Sequence, residues 1–196
     1  MKLAVVGVLA LQGDFAEHLT MLRKLEVETR EVRLPGDLAG LQGLIIPGGE
    51  STTQARLMDT YGLREPLKER VRSGMAVWGT CAGLILLAGK LAEDRPEPLG
   101  LMDIEVQRNA YGRQVDSFET DLPVPVLSNR KDFHTVFIRA PKILHVGKNV
   151  AVLASLPKGG EVVAVQQERM LATAFHPELT GDTRFHHYFL KMMSVH

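Results

Sequence analysis

The feature that most constrains the fold is an alternation of continuous apolar runs, rich in Val and Ile, with segments whose apolar residues recur at helical spacing. Apolar runs flanked by helices are typical of strands in a parallel sheet that is covered on both faces. The runs at 3–11, 41–46 and 75–78 therefore predict such strands, and the segment 27–32, which begins and ends with Val, is interpreted as the second strand in chain order. We expect a three-layer α/β fold with its ligand site at the carboxyl ends of the central parallel strands.

Helices are predicted between these strands and at the end of the chain. Capping residues and apolar spacing indicate three helices that begin after Asp14, after Ser51 (to about residue 60) and after Asp182. Two more are indicated by apolar residues alone: one contains Leu63, Leu67 and Val71, and the other covers 84–88. Residues 92–100 contain two prolines and are predicted to form a loop. Further strands are predicted at 103–107, 116–120, 136–139, 150–155, 161–166 and 170–174. We therefore expect a mostly parallel central sheet and a more β-rich second half.

Composition limits the classes of protein to consider. The chain has 196 residues, 45% of them hydrophobic, which suits one core, so we expect a single domain over residues 1–196. Lys plus Arg and Asp plus Glu number 23 each, without a basic block, which argues against nucleic acid as a partner. The single cysteine cannot form an internal disulfide, which agrees with a reducing compartment.

The apolar start of the chain is better explained by a buried strand than by a signal peptide. Gln12, Gly13 and Asp14 follow it directly, and no small-residue cleavage pattern is evident. No apolar run approaches the length of a membrane span. We therefore expect a cytoplasmic protein with no membrane partner.

The only cysteine, Cys81, lies in the segment Gly79-Thr80-Cys81-Ala82-Gly83, between an apolar run and an apolar helical stretch. A glycine two residues on either side of a nucleophile permits the sharp strand-to-helix turn that exposes its side chain. Standing alone, the cysteine would more simply be a small buried apolar group. In this setting it is a candidate nucleophile.

A second element, Phe175-His176-Pro177-Glu178, follows the last predicted strand. Pro177 disfavours the helical conformation at His176, so we expect an extended segment in which His176 and Glu178 lie on the same side. Glu178 would then hold one imidazole nitrogen while the other accepts a proton from Cys81. A lone His-x-Glu is weak evidence, but the order nucleophile, histidine, acid strengthens it.

A thiolate with a histidine base and an acid suits attack on a carbonyl to form a thioester that water then cleaves. The charge that develops on the carbonyl oxygen requires fixed donors, and the amide of Ala82, directly after the nucleophile, is one candidate. Pro47-Gly48-Gly49-Glu50 follows a neighbouring strand, and its glycines could offer a second amide. Taken alone, this loop is as readily an ordinary turn.

Together these segments resemble the class I, triad-type glutamine amidotransferases, which release ammonia from the side-chain amide of glutamine and have a flavodoxin-like fold. Longer segments narrow the resemblance to the glutaminase subunits of two-component pyridoxal 5'-phosphate (vitamin B6) synthases. These segments are Leu9-Ala-Leu-Gln-Gly13, Pro47-Gly-Gly-Glu-Ser-Thr52, Arg108-Asn-Ala-Tyr-Gly-Arg-Gln114, Ser117-Phe-Glu119, Phe137-Ile-Arg-Ala-Pro141 and Phe175-His-Pro-Glu-Leu-Thr180. The likeness extends from Gly7 to about Thr180, which is nearly the whole chain.

The resemblance implies roles for particular residues. Cys81 would be the nucleophile, His176 the base that becomes the acid, and Glu178 the group that orients His176. Residues implied to surround glutamine are Gly48, Gly49, Glu50, Arg108, Ile138 and Arg139, with Gly49 and Ala82 in the oxyanion hole and Gln12 in an oxyanion or interface role. Because free glutamine is a zwitterion, a carboxylate and an arginine, such as Glu50 and Arg108, have the appropriate charges.

The resemblance also implies a partner: the pyridoxal 5'-phosphate synthase subunit would receive the ammonia through an internal channel in a hetero-oligomer and condense it with a pentose phosphate and a triose phosphate. Such glutaminases typically depend on that partner, so we expect the loop near Gly48 and Gly49 to be incompletely arranged in the free chain. We predict no cofactor and no metal. His18, His186 and His187 are interpreted as surface or packing histidines.

Three alternatives remain open at this point. The first is a class I glutaminase that serves another synthase, such as the one that builds imidazole glycerol phosphate; segments 108–114 and 137–141 argue against it. The second is a peptidase or esterase-like hydrolase with a cysteine nucleophile. The third is a non-catalytic subunit, which the presence of Cys81, His176 and Glu178 disfavours.

Overall fold

The computed structural model describes residues 4–108 and 117–194. Its main feature is a seven-stranded sheet in the order β10-β11-β12-β4-β3-β1-β2. The strands of this sheet are β1 (Val5–Leu9), β2 (Glu28–Val32), β3 (Gly43–Ile46), β4 (Ala76–Thr80), β10 (Ala151–Ser155), β11 (Val162–Gln167) and β12 (Met170–Thr173). Strands β2, β1, β3, β4 and β12 run parallel, whereas β11, near one edge, pairs antiparallel with both β12 and the edge strand β10. The expected mostly parallel sheet is confirmed.

Five α-helices, three short 3-10 helices and two smaller sheets complete the described part of the chain. The helices are α1 (Phe15–Lys24), α2 (Ser51–Thr60), α3 (Arg64–Arg72), α4 (Ala82–Leu87) and α5 (Arg184–Ser194). Strands β5 (Ala88–Leu91), β6 (Met102–Gln107) and β9 (Lys142–Val146) form one small sheet, and β7 (Ser117–Leu122) pairs with β8 (Phe133–Ile138) in a hairpin. None of these helices is long and apolar enough to cross a membrane.

Adjacent residues of β4 show that helices cover both faces of the large sheet. Trp78 is fully buried against aromatic rings of α1 and α5. Gly79 lies against the backbone of Gly83 in α4, where a side chain would collide. Because successive residues of a strand face opposite sides, α4 packs on the face opposite to α1 and α5. The three-layer α/β architecture expected from the alternating pattern is therefore present.

Two short strands escaped the sequence analysis. Residues 88–91 form β5, although the sequence predicted only the end of a helix at residue 88. Residues 142–146 form β9, where no strand was predicted. Both strands belong to the small sheet, whose register is interrupted by irregularities. Their pairing depends on contacts between distant parts of the chain, which local apolar patterning does not record.

Two capping predictions were wrong in detail. Glu50, not Ser51, is the N-cap of α2, because its carboxylate accepts hydrogen bonds from the amides of Thr52 and Thr53. Asp14 holds the N-cap position of α1, but its side chain makes no capping hydrogen bond. Its carboxylate lies instead near His176. In both places an acidic side chain at a strand–helix junction faces the same cavity.

Candidate active site

The strand–turn–helix at Cys81 has the strained geometry that the glycine spacing predicts. Cys81 lies between β4 and α4 with φ 48° and ψ −101°, a conformation that is costly for a residue with a side chain. Its amide donates to the carbonyl of Thr173 at 2.8 Å, which ties the turn to β12. A side chain at Gly83 would overlap the carbonyl oxygen of Ile46, so the helix can approach β3 only with glycine there.

His176 follows β12, the strand that pairs in parallel with β4, so it enters the site beside Cys81. Its amide donates to the carbonyl of Val136 in β8 at 2.9 Å. The imidazole is buried, and its Nδ1 atom lies 2.7 Å from Oε1 of Glu178. The predicted contact between these two side chains is therefore present.

The prediction of an extended His-Pro-Glu segment was wrong. Residues Pro177–Leu179 form a 3-10 helix, and His176 before it, with φ −108° and ψ 83°, is neither helical nor in the regular extended conformation. This turn brings the carboxylate of Glu178 to Nδ1 of His176, so the two side chains meet across a turn and not along an extended strand. Proline at the first position of a helix is well tolerated, because its missing amide hydrogen would have no acceptor there.

Two carboxylates face the same nitrogen of the imidazole. Besides Glu178, the Oδ2 atom of Asp14 lies 3.4 Å from Nδ1 of His176. Sequence reasoning had assigned Asp14 only to helix capping. A carboxylate in a strand–helix loop is common, and its proximity to His176 depends on how strands β1 and β12 are arranged in the sheet, so no local signal could have revealed it.

The electrostatics of His176 favour the protonated ring. Burial by itself lowers the pKa of His176, but hydrogen bonds and charge from Asp14, the Cys81 thiol and Glu178 outweigh it and raise the pKa well above its usual range. Burial raises the pKa of Glu178, and the hydrogen bond with His176 opposes that shift. An imidazolium beside a cysteine stabilises the thiolate, which is the nucleophilic form.

The thiol and the free imidazole nitrogen are neighbours without a well-aligned hydrogen bond. Nε2 of His176 is buried and has no hydrogen-bond partner in the described residues, although the Cys81 thiol contributes to the raised pKa of the ring. Sγ of Cys81 lies 3.8 Å from the carbonyl oxygen of Ile138. Catalytic hydrogen bonds are often long in a site without substrate, so this geometry is compatible with proton transfer.

A cavity of about 400 Å³ opens over Cys81 at the carboxyl end of the sheet. Its size lies within the range of small-molecule sites. It is lined by Gln12, Asp14, Gly49, Glu50, Ser51, Cys81, Ala82, Ile85, Arg108, Ile138, Arg139 and His176. Of the predicted site residues, Gly48 and Glu178 lie outside this lining; Glu178 is behind the imidazole. Of the segment 108–114, which the resemblance singled out, only Arg108 is among the described residues. Residues 109–114 lie outside them.

The loop after β3 depends on its glycines. A side chain at Gly48 would collide with the His176 ring, and Gly49 has φ +150°, in the region that favours glycine. The carbonyl of Gly48 accepts from the amide of Asp14 at 3.0 Å. The Gln12 side chain accepts from the amide of Glu50 at 2.7 Å, so Gln12 braces the loop from the cavity wall.

Gln54 is a second residue that sequence reasoning missed. It is fully buried in α2, and its Nε2 donates to the carbonyls of Gln12 and Pro47 at 2.9 and 3.1 Å. It thereby connects the ends of β1 and β3. A glutamine four residues after the N-cap carries no recognisable motif.

Opposite charges meet at the outer wall of the cavity. Nη2 of Arg108 lies 3.3 Å from Oε1 of Glu50, and its Nη1 donates to the carbonyl of Arg95 at 2.8 Å. Burial raises the pKa of Glu50, but hydrogen bonds from Thr53 and Thr52 outweigh it, so the pKa is lowered. Glu50 is therefore ionised at neutral pH, and both charges that a zwitterion would require are present.

Asp14, His176 and Glu178 each place one potential metal-ligand atom within 4.8 Å of the others. Nδ1 of His176, however, is already hydrogen-bonded to Glu178 at 2.7 Å. A metal at this position would compete with that bond. The arrangement is better described as an imidazole held between two carboxylates.

A model of the SNO glutamine amidotransferase family matches residues 8–195 of this chain. The chain belongs to this family. Among curated relatives of this glutamine amidotransferase, one from Herpetosiphon aurantiacus is 60% identical over 188 residues, covering 94% of this chain and 98% of the relative. Another from Dehalococcoides mccartyi is 54% identical over 193 residues, covering 97% and 98%. Both are named pyridoxal 5'-phosphate synthase subunit PdxT.

Solved structures agree with the family assignment of this amidotransferase. A crystal structure of a glutamine amidotransferase superposes with a TM-score of 0.90 at 49% identity and covers 98% of this chain and all of that one. A putative subunit of GMP synthase from Thermoplasma acidophilum has a TM-score of 0.70 at 17% identity, covering 99% and 96%, and indicates the shared fold alone.

Proposed function

We propose that this chain hydrolyses L-glutamine to L-glutamate and ammonia through a thioester on Cys81, and delivers the ammonia to a synthase subunit that makes pyridoxal 5'-phosphate. The observation that carries the proposal is that Cys81 and His176 line one cavity, with Glu178 hydrogen-bonded to His176 behind it, in a member of the glutamine amidotransferase family. Relatives that share 60% and 54% of their residues with it are subunits of pyridoxal 5'-phosphate synthase. These relatives do not favour the alternative of a glutaminase for another synthase.

The proposed reaction has two halves, formation of the thioester and its hydrolysis. The Cys81 thiolate attacks the side-chain carbonyl carbon of glutamine, and the resulting oxyanion accepts hydrogen bonds from the amides of Ala82 and Gly49. The His176 imidazolium gives its proton to the departing nitrogen, so ammonia leaves and a thioester remains. Water then attacks the thioester, His176 takes the water proton, and glutamate leaves as the thiolate is restored.

Geometry supports each assigned role. Ala82 is the first residue of α4, where an amide has no acceptor within its own helix and is free for an oxyanion. Gly49 lines the same cavity. Glu178 hydrogen-bonds Nδ1 of His176, which leaves Nε2 for proton transfer.

Recognition of glutamine is assigned to the cavity wall. Glu50 takes the α-ammonium, Arg108 takes the α-carboxylate, and Ile138 and Arg139 surround the rest of the substrate, while Gly48 lies behind this lining against the His176 ring. Arg108 and Glu50 form an ion pair with each other. When glutamine binds, this ion pair is weakened, and two new ones form: Arg108 with the α-carboxylate and Glu50 with the α-ammonium. Gln12 holds the glycine loop in place.

The partner is a synthase subunit in a hetero-oligomer, located in the cytoplasm. Ammonia released into water at neutral pH is mostly protonated and loses its nucleophilicity, so transfer inside a complex preserves its reactivity. We propose that the glycine loop of the free chain reaches its working arrangement only when the partner binds.

An ammonia-release assay on glutamine, with and without the purified synthase subunit, tests this function. We expect slow release by the free chain, a large increase in the mixture, and none with Cys81→Ala, which should still assemble with the partner. Equal rates with and without the synthase would contradict the loop proposal. Turnover by Cys81→Ala would contradict the assigned chemistry.

A further inference from the structure

A buried polar cluster lies directly behind the imidazole of the site. It consists of His18 from α1, Thr80 at the end of β4, His186 from α5, and Glu178. Nδ1 of His18 lies 3.0 Å from Nε2 of His186, and Nε2 of His18 lies 3.1 Å from Oγ1 of Thr80 and 3.4 Å from Oε2 of Glu178. The sequence analysis had treated these histidines as surface or packing residues. His18 and His186 are both fully buried, while His187 is exposed.

Both buried rings are neutral. Burial lowers the pKa of His18 well below its usual value, and the neighbouring His186 and His176 lower it further. Burial also lowers the pKa of His186, to about 3. A neutral imidazole has one N–H donor and one acceptor nitrogen. Once one ring nitrogen of His186 is assigned its proton, the contact with His18 decides which nitrogen of His18 carries the other.

The unpartnered nitrogen of His186 selects one arrangement. Its Nδ1 is buried and has no hydrogen-bond partner in the described residues. An orphaned buried N–H is rarer in proteins than an under-satisfied acceptor, so we place the lone pair on Nδ1. Nε2–H of His186 then donates to Nδ1 of His18. Nε2 of His18 in turn carries a hydrogen that points to Thr80 and Glu178.

The opposite arrangement has two faults. It would leave the Nδ1–H of His186 buried without an acceptor, so the loss of its hydrogen bond to water would be uncompensated. It would also turn the lone pair of His18 Nε2 toward a carboxylate oxygen 3.4 Å away. Oε2 of Glu178 has no hydrogen bond in the described part of the chain, so a donor near it is the favourable neighbour.

We propose that His18 is a positioning residue for the reaction: its Nε2–H, fixed by His186, steadies the carboxylate of Glu178, which in turn holds His176 with its free nitrogen toward Cys81. The proposal rests on the function proposed above for these three residues. At 3.4 Å the contact is a charge–dipole interaction shared with Thr80, and it acts in a buried site where such interactions are strong. His18 does not line the cavity.

This role predicts a pH effect that packing alone does not. The titratable groups that face Glu178 are His176 in its own segment, His18 from α1, and Asp14 from the loop before α1. Burial and Asp14 raise the pKa of Glu178, while the hydrogen bond and charge of His176 and a backbone amide oppose them. Removal of the His18 donor should raise this pKa further. Glu178 would then be protonated at a higher pH, and the acid limb of kcat/KM would move upward.

The test uses the chain in complex with its synthase subunit, with glutamine as substrate. His18→Leu removes the donor, His18→Gln keeps an N–H near the position of Nε2, and His187→Leu is the matched exposed control. We expect kcat of His18→Leu to fall about tenfold with KM little changed, because His18 does not contact the cavity. The acid limb should move to higher pH. His18→Gln should recover most of both properties, and His187→Leu should match the native chain.

A stability measurement separates this role from packing. If His18→Leu lowers the urea midpoint but keeps the native kcat and pH profile, His18 is structural and the proposal is wrong. If His18→Leu does not fold, His18→Phe decides, because it keeps a ring beside Trp78 and His186 but has no N–H for Glu178. An unchanged acid limb in His18→Phe would then overturn the proposal. Turnover by Cys81→Ala would instead overturn the proposed function.

Discussion

At the scale of single residues, the site depends on glycines at positions where a side chain would collide with neighbouring backbone. The elbow at Cys81 has a positive φ, and Gly79 and Gly83 allow α4 to lie against β3 and β4. The strain at Cys81 is of a kind that costs about 1–3 kcal/mol and persists only where surrounding contacts enforce it. Here the bond from its amide to Thr173 is one such contact.

Gly83→Ala should lower the free energy of unfolding by about 1–3 kcal/mol, because its methyl group would overlap the backbone oxygen of Ile46. Glutamine turnover should fall as well, since the elbow must shift. Gly36→Ala is the matched control, because a side chain there meets nothing within 4 Å. Urea denaturation of both variants checks this. Equal stability of Gly83→Ala and the native chain would contradict the close approach.

Glu50→Gln should raise KM for glutamine about tenfold, because the charge assigned to the α-ammonium is lost, while kcat changes less. The remaining amide oxygen can still cap α2, so the loss of stability should stay below about 1 kcal/mol. Steady-state kinetics and urea denaturation measure the two effects, with Glu65→Gln on α3 as control. An unchanged KM would remove Glu50 from the substrate site.

Most site residues were predictable from sequence, and the exceptions share a physical cause. Cys81 and the His176–Glu178 pair stand out because glycine spacing and a His-Pro-Glu segment are local signals. Asp14 and Gln54 carry no such signal, since their importance comes from contacts with residues of other segments of the chain. The buried state of His18 likewise follows from α5 packing on β4, which local spacing does not reveal.

At the scale of elements, the carboxyl ends of neighbouring parallel strands bring the site together. Strand β4 leads to Cys81, β3 to the glycine loop, β1 to Gln12, and β12 to His176. Strands β1, β3, β4 and β12 were predictable because their residues are mainly apolar and buried. Strands β5 and β9 were missed because they mix exposed with buried residues and their pairing is irregular.

The hairpin of β7 and β8 contains an exposed charge cluster that predicts a pH effect on stability. His134 lies 2.8 Å from Asp121 and 2.9 Å from Glu119, and hydrogen bonds with these carboxylates raise the pKa of His134. A pKa that is higher in the folded state adds stability below the unfolded value of about 6.5. This added stability is lost as pH rises through the folded value.

His134→Asn should therefore destabilise the chain more at about pH 5.5 than at about pH 8.5. Because the cluster is exposed, the difference should be small and should shrink further in high salt. Urea denaturation at both pH values measures it, with exposed His145→Asn as the control. The same loss at both pH values would show that protonated His134 does not stabilise the hairpin.

At the scale of the whole molecule, the fold places Cys81, His176 and Glu178 at one end of the large sheet, with a cavity over Cys81 and His176. The family match over residues 8–195 and the TM-score of 0.90 agree with this architecture. The fold class was predictable because alternating strands and helices allow few layered arrangements. The choice of synthase was predicted from the resemblance carried by longer segments such as 108–114 and 137–141, and the names of the curated relatives agree with it.

The central claim is that Cys81 attacks the side-chain carbonyl of glutamine. The most direct measurement is mass spectrometry of the chain, in complex with its synthase subunit, after treatment with an electrophilic ketone analogue of glutamine. We expect one covalent adduct, on the peptide that contains Cys81, with its formation blocked by excess glutamine and absent in Cys81→Ala. An adduct on another residue, or full turnover of glutamine by Cys81→Ala, would contradict the account.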